Sequence, residues 1–124
     1  MPRDYPRTRR VGELLQRELA VLIRDRLKDP DVGMVTLSDV EVSRDLAHAK
    51  VYYTVLGDTQ VRERTQAALE RAAGFLRREL GRMLHLRVIP QLHFVHDDTM
   101  ERGNRVSALI DQALGKSRGG GANE

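Results

Sequence analysis

Residues 70–79 read E-R-A-A-G-F-L-R-R-E, in the middle of a stretch that otherwise has the pattern of one long helix. Reading Gly74 there decides the fold. Glycine inside a helix is about 1 kcal/mol less favourable than alanine, so its presence calls for a bend, a close backbone approach, or simple tolerance. The surrounding apolar stripe, Val61, Ala68, Leu69, Ala72, Leu76, Leu80, Met83 and Leu84, keeps helical spacing throughout. At about 100° per residue, Gly74 lies about 200° from both Ala72 and Leu76, away from the stripe. Its neighbours on that outer side are Arg71, Arg77 and Arg78, with Gly81 and Arg82 a turn further on. A bend lacking a side chain would let a phosphate backbone approach peptide N–H groups between guanidinium groups. A tolerated, solvated glycine or a kink without a binding role accounts for the same residues.

Outward from this helix the pattern is mixed α and β. Upstream, Val11, Leu14, Leu15, Leu19, Leu22, Ile23 and Leu27 have the spacing of a helix with one buried stripe, expected to end at Asp29-Pro30. In M-V-T-L-S-D-V-E-V-S, Val35 and Leu37 fall in one alternation phase and Val40 and Val42 in the other, which predicts a bulge near Ser38-Asp39. Ala49, Val51, Tyr53 and Val55 then alternate with Lys50, Tyr52 and Thr54, the clearest strand of the chain and the partner of the first in a hairpin-like unit. Downstream, Pro90 precedes a strand Q-L-H-F-V-H, and Asp98-Thr99 with Glu101 offers the start of a last helix through Val106, Leu109, Ile110 and Ala113. The order helix, strand, strand, long interrupted helix, strand, helix predicts an α+β domain with helices over one face of a three-stranded sheet. Residues 1–7 read as a basic arm, 8–114 as a single domain, and 115–124, rich in glycine, as a flexible tail.

With 124 residues, one modest core is expected. The absence of cysteine excludes disulfides and thiolate metal sites, and no apolar run is long enough for a membrane helix. A cytoplasmic protein fits this composition. The net charge of +3 matters less than its placement. Residues 71–87 hold Arg71, Arg77, Arg78, Arg82 and Arg87 against Glu79 alone, and the N-terminus holds Arg3, Arg7, Arg9 and Arg10 against Asp4. Asp29, Asp31, Asp39, Glu41 and Asp45 form one acidic segment, and Asp97, Asp98 and Glu101 another, so the molecule is expected to be electrically two-sided.

The segments K-D-P-D-V-G-M-V-T-L-S-D-V-E-V-S-R-D-L-A-H-A-K-V-Y, A-A-G-F-L-R-R-E-L-G and L-R-V-I-P-Q-L-H-F with the following D-D-T-M-E-R-G, in this order and at these distances, resemble the bacterial ribosome-binding factor A family over roughly residues 8–114. The resemblance implies a type II KH-like fold whose interrupted helix is kinked at Ala72-Ala73-Gly74. KH domains commonly clamp nucleic-acid backbone with a G-x-x-G loop, and this sequence contains none. It also implies a non-catalytic, cofactor-free assembly factor. Such a factor binds the small ribosomal subunit or its precursor and supports late folding and 5′-end maturation of 16S rRNA, above all in the cold. Ribosomal proteins and a release factor of the assembly GTPase type are further candidate partners, and a monomer with no membrane contact is expected. The candidate RNA-binding residues are Arg9, Arg10, Arg71, Ala72, Ala73, Gly74, Arg77, Arg78, Arg82 and Arg87.

Two other readings compete. A KH-type RNA-binding protein of another pathway would carry the same fold. H-F-V-H-D-D could suggest a small metal-dependent hydrolase using His93, His96 and Asp97. Residues i and i+3 of a strand point to opposite faces, however, so both imidazoles reach one ion only if the chain turns at Val95. Neither Ser43 nor Ser107 sits in a motif that places a base beside it, and Tyr52 beside Lys50 reads as a strand aromatic with base stacking as the alternative.

Overall fold

In the computed structural model, which describes residues 6–99, the elements are α1 (Arg7–Asp25), β1 (Val35–Val42), β2 (His48–Val55), α2 (Thr59–Met83) and β3 (Gln91–His96). The arm before Pro6, the last helix expected over 106–113 and the tail lie outside the described residues. Among the described residues no helix is long and apolar enough to cross a membrane.

α1 forms on the expected stripe, burying Val11, Leu15, Leu19, Leu22 and Ile23. It ends at Asp25, four residues before the expected stop at Asp29. The backbone N–H groups of Arg26 and Leu27 both donate to Leu22 O, at 2.8 and 3.0 Å, which closes the last turn. Asp29 then accepts the backbone N–H of Asp31 at 2.9 Å across Pro30, a side-chain-mimicked turn. The proline thus stiffens a loop already under way and does not itself stop the helix.

β1 and β2 pair antiparallel, and the register shifts between Leu37 and Asp39, where the two out-of-phase pairs of valine and leucine demanded a bulge. The extra residue returns Val40 to the side of Leu37, and both are buried. The connection between the strands carries Leu46 at φ 63°, a left-handed conformation unusual for leucine. Side chains hold it: Ser43 Oγ donates to Asp45 Oδ1 at 2.7 Å, and Asp45 Oδ1 accepts the Ala47 N–H at 3.0 Å. β3 lies parallel to β2, giving the sheet order β1-β2-β3.

Both helices cover the same face. Ala49, Val51 and Tyr53 of the central strand are fully buried in one cluster with Leu15 and Leu19 of α1, Leu69, Leu76 and Leu80 of α2, and Leu92 and Phe94 of β3. α1 packs against β1 and α2 against β3, so each outer strand has a helix beside it. Each helix also lends a glutamine to its strand: Gln16 Nε2 donates to Leu37 O at 3.1 Å, and Gln66 Nε2 to Phe94 O at 2.8 Å. Satisfying edge carbonyls in this way blunts both open edges of the sheet. On α1 the approach is closer still, since a Cβ on Gly12 would stand 2.6 Å from Val40 O. Glycine is needed there because helix backbone lies directly against strand backbone.

α2 starts on Asp58, whose carboxylate accepts the Val61 N–H at 3.0 Å, and runs for 25 residues. At Ala72-Ala73-Gly74 the helical assignment is continuous, and Gly74 is not among the residues with positive φ. Two alanines, the strongest helix formers, hold the turn, and a single glycine within the helix removes no backbone donor.

Candidate nucleic-acid interface

Gly74 is exposed on the side of α2 away from the core, as its spacing predicts, whereas Ala72 is buried and Ala73 half-buried. Ala72 therefore belongs to the core. A Cβ placed on Gly74 would meet only Arg78 Nη1, at an ordinary 3.6 Å, so no packing within the fold requires glycine here. The Arg78 side chain instead lies back over the glycine.

The arginines around it differ sharply in what already occupies them. Arg71 pairs with Asp29 at 3.2 Å and Asp31 at 3.4 Å, carboxylates from the loop after α1. These partners come from loop acids 40 and 42 positions away in the chain, not from α2 itself. Arg77 places Nε and Nη2 3.1 and 3.0 Å from Ile89 O, a two-pronged clip holding the 84–90 connection to α2. Arg82 stands 3.9 Å from Glu79, a nearly buried carboxylate that Arg26 also approaches to 3.3 Å, which ties the end of α1 to α2. Arg78 and Arg87 are exposed, and their side chains make no hydrogen bond or ion pair with described residues. Of the five candidate arginines between residues 71 and 87, then, two are uncommitted, and Arg77 works chiefly as a fold clip. Arg9 and Arg10 are exposed on the first turn of α1, on a different element from the Gly74 surface.

The open face of the sheet carries the opposite charge. Tyr52 donates its hydroxyl to Glu41 at 3.0 Å, and this bond, with the nearby charges of Glu41, Asp39 and Asp97, pushes the phenol above its usual range. Ser38 Oγ donates to Asp97 Oδ2 at 2.6 Å on the same side. Tyr52 is thus held in a negative field, which disfavours a phosphate backbone there. The acid at Asp29 is likewise held below the ordinary carboxylate range, first by the Asp31 N–H and then by Arg71. Asp39, Glu41 and Asp97 surround Tyr52 on the open sheet face, whereas Asp29 and Asp31, expected with them in one acidic segment, pair instead with Arg71 of α2.

His93 and His96 point apart. His93 Nε2 lies 3.0 Å from His48 Nδ1 on the open face, while the His96 ring meets the buried Tyr53 ring edge-on at 5.6 Å. Among the described residues no group of three metal-ligating side chains gathers, so the hydrolase reading has no assembled site.

The sequence and the fold have close counterparts. The family model for ribosome-binding factor A matches residues 7–110. A ribosome-binding factor A of Thioalkalivibrio sulfidiphilus is 65% identical over 118 residues, covering 95% of this chain and 92% of that one. The crystal structure of ribosome-binding factor A from Thermus thermophilus superposes with a TM-score of 0.65 at 29% identity, covering 72% of this chain and 93% of that one. A Thermus thermophilus ribosome-binding factor A fitted into a cryo-EM map of a 30S complex matches with a TM-score of 0.59 at 30% identity, over 69% and 90% of the two chains. The helix-covered mixed sheet is the KH-like fold of these structures, and the chain belongs to the ribosome-binding factor A family.

Proposed function

We propose that this chain binds the small ribosomal subunit or its precursor in the cytoplasm, as a monomer without cofactor or catalysis, and acts on 16S rRNA by occupancy. A protein that binds only one conformer of an RNA shifts the population by its differential affinity. Cold stabilises misfolded RNA helices, so late folding and 5′-end maturation of 16S rRNA would depend on it most at low temperature. The observation that carries the reading is the family match over residues 7–110, together with a relative placed in a 30S complex. Electrostatics support it: the exposed arginines of the helices and of the 84–90 connection, Arg10, Arg78 and Arg87 uncommitted among them, suit phosphate, and the acidic sheet face suits solvent or a basic ribosomal protein. Arg9, Arg10, Arg78 and Arg87, with the side-chain-free surface at Gly74, are the proposed phosphate contacts, and Arg82 joins them where phosphate competes with its long pair to Glu79.

Sedimentation of cell extract through a sucrose gradient tests this. The protein is expected with free 30S particles and absent from translating ribosomes. A position only at the top of a low-salt gradient would exclude stable subunit binding.

A further inference from the structure

We propose that the principal phosphate-contacting line of this protein is the outer side of α1, along Arg10, Arg17 and Arg24, and that its partner is the RNA phosphate backbone. This rests on the subunit-binding reading above and moves the centre of the interface away from α2.

The three arginines recur every seven residues, so on one helix they drift by only about 20° per step and stand about 10.5 Å apart. The core residues Val11, Leu15, Leu19 and Ile23 fix which side of α1 is buried, and this line lies opposite to it. All three are exposed. Arg10 and Arg17 use their side chains in no hydrogen bond or ion pair with described residues. Arg24 bonds only its exposed neighbour Asp25, at 2.9 Å, a solvent-facing pair that phosphate can displace at little cost. On α2, Arg71, Arg77 and Arg82 are spent on Asp29, Asp31, Ile89 and Glu79, which leaves Arg78 alone of its four candidate guanidinium groups.

Placement of Arg10 also runs against helix stability. Its first turn contains Arg7, Arg9 and Arg10, no acidic residue, and no side-chain cap. Cations at the positive end of a helix dipole destabilise it. The Arg10 side chain offsets this with no hydrogen bond or ion pair among the described residues, and a local rule broken in this way points to a function outside the fold.

The test compares full-length wild type with two double variants of equal charge change, measuring affinity for purified 30S subunits against salt, and thermal stability. Arg10→Gln/Arg17→Gln is expected to lower the slope of log affinity against log salt by about two units, one for each phosphate that no longer meets a guanidinium. Its melting temperature should be unchanged or raised, which a structural role for these arginines would not give. Arg44→Gln/Lys50→Gln, which removes the same charge from the hairpin and the acidic sheet face, should leave the slope near that of wild type. Equal slope losses in the two double variants would reduce the effect to net charge and overturn the proposal. Steep salt dependence in wild type that Arg10→Gln/Arg17→Gln leaves intact would overturn it while subunit binding stands. Wild type that fails to bind subunits at all would overturn both.

Discussion

The two helices carry similar numbers of arginines and commit them to different degrees. On α2, Arg71, Arg77 and Arg82 reach loop carboxylates, a backbone carbonyl and a nearly buried glutamate, so they hold the fold together. On α1, Arg10 and Arg17 hold nothing among the described residues. A high local density of arginine is therefore a poor guide to where a polyanion would bind. The informative quantity is how much of that charge the fold has already neutralised, and by that measure the arginine-rich stretch after Gly74 is the less available of the two.

The inner side of α1 gives the largest effect. Gly12 faces Val40 O at a distance that leaves no room for a Cβ, so Gly12→Ala must push helix and strand apart. Overpacking of this kind is destabilising by about 1–3 kcal/mol, and denaturant unfolding should show a loss toward the upper end. A neutral result would mean that α1 can shift on β1 freely, and the contrast between a rigid inner side and an unoccupied outer side would weaken.

Next comes Arg77→Ala. Losing a two-pronged charged donor to Ile89 O should cost about 1 kcal/mol, since hydrogen bonds from charged groups contribute roughly 1.5–3 when shielded and less when exposed, as here. Subunit affinity at fixed salt should fall less than in Arg10→Gln/Arg17→Gln. An unchanged stability with a full unit lost from the salt slope would return Arg77 to the phosphate-binding set.

Much of this was legible in the sequence, for reasons that separate cleanly. The bulge at Ser38-Asp39 was forced by two buried pairs in opposite phase, a signal that is purely local. The helical stripes and the position of β3 after α2 followed from periodicity and order. What escaped was set by contacts between distant segments: Arg77 to Ile89, Arg71 to Asp29 and Asp31, and the two edge-capping glutamines. No spacing rule encodes those. Gly12 is the instructive miss, because a glycine lying between Val11 and Leu15 on the buried side signals close backbone approach, whereas the outward Gly74 is the one whose spacing draws attention.

Gly74→Ala should then act in the opposite direction to Gly12→Ala. The added methyl meets only Arg78 Nη1 at van der Waals distance, and the backbone angles already suit alanine. Stability should rise by up to about 1 kcal/mol. No charge is removed, so the salt slope should stay that of wild type. A decrease in stability would reveal strain at this position, as a kinked helix would carry.

The smallest effect concerns how firmly α2 keeps its arginines occupied. Asp29 has its carboxyl held below the usual range by the Asp31 N–H and by Arg71. A lowered folded-state pKa contributes stability that is complete above the unfolded value, about 4, and is lost as pH falls through the folded value. Because this carboxylate is exposed, the loss is screened and small. Wild type should therefore lose slightly more stability than Asp29→Asn as pH is lowered from about 5 toward 3, measured as the difference in melting temperature. Near neutral pH the same variant leaves Arg71 only Asp31, paired at 3.4 Å. If freeing Arg71 in this way raised the affinity of Asp29→Asn for 30S subunits to the level set by α1, the two helices would differ in restraint and not in capacity. We expect only a marginal rise, because Asp31 still holds the guanidinium beside α2 while Arg10 and Arg17 stand clear of any carboxylate pair among the described residues.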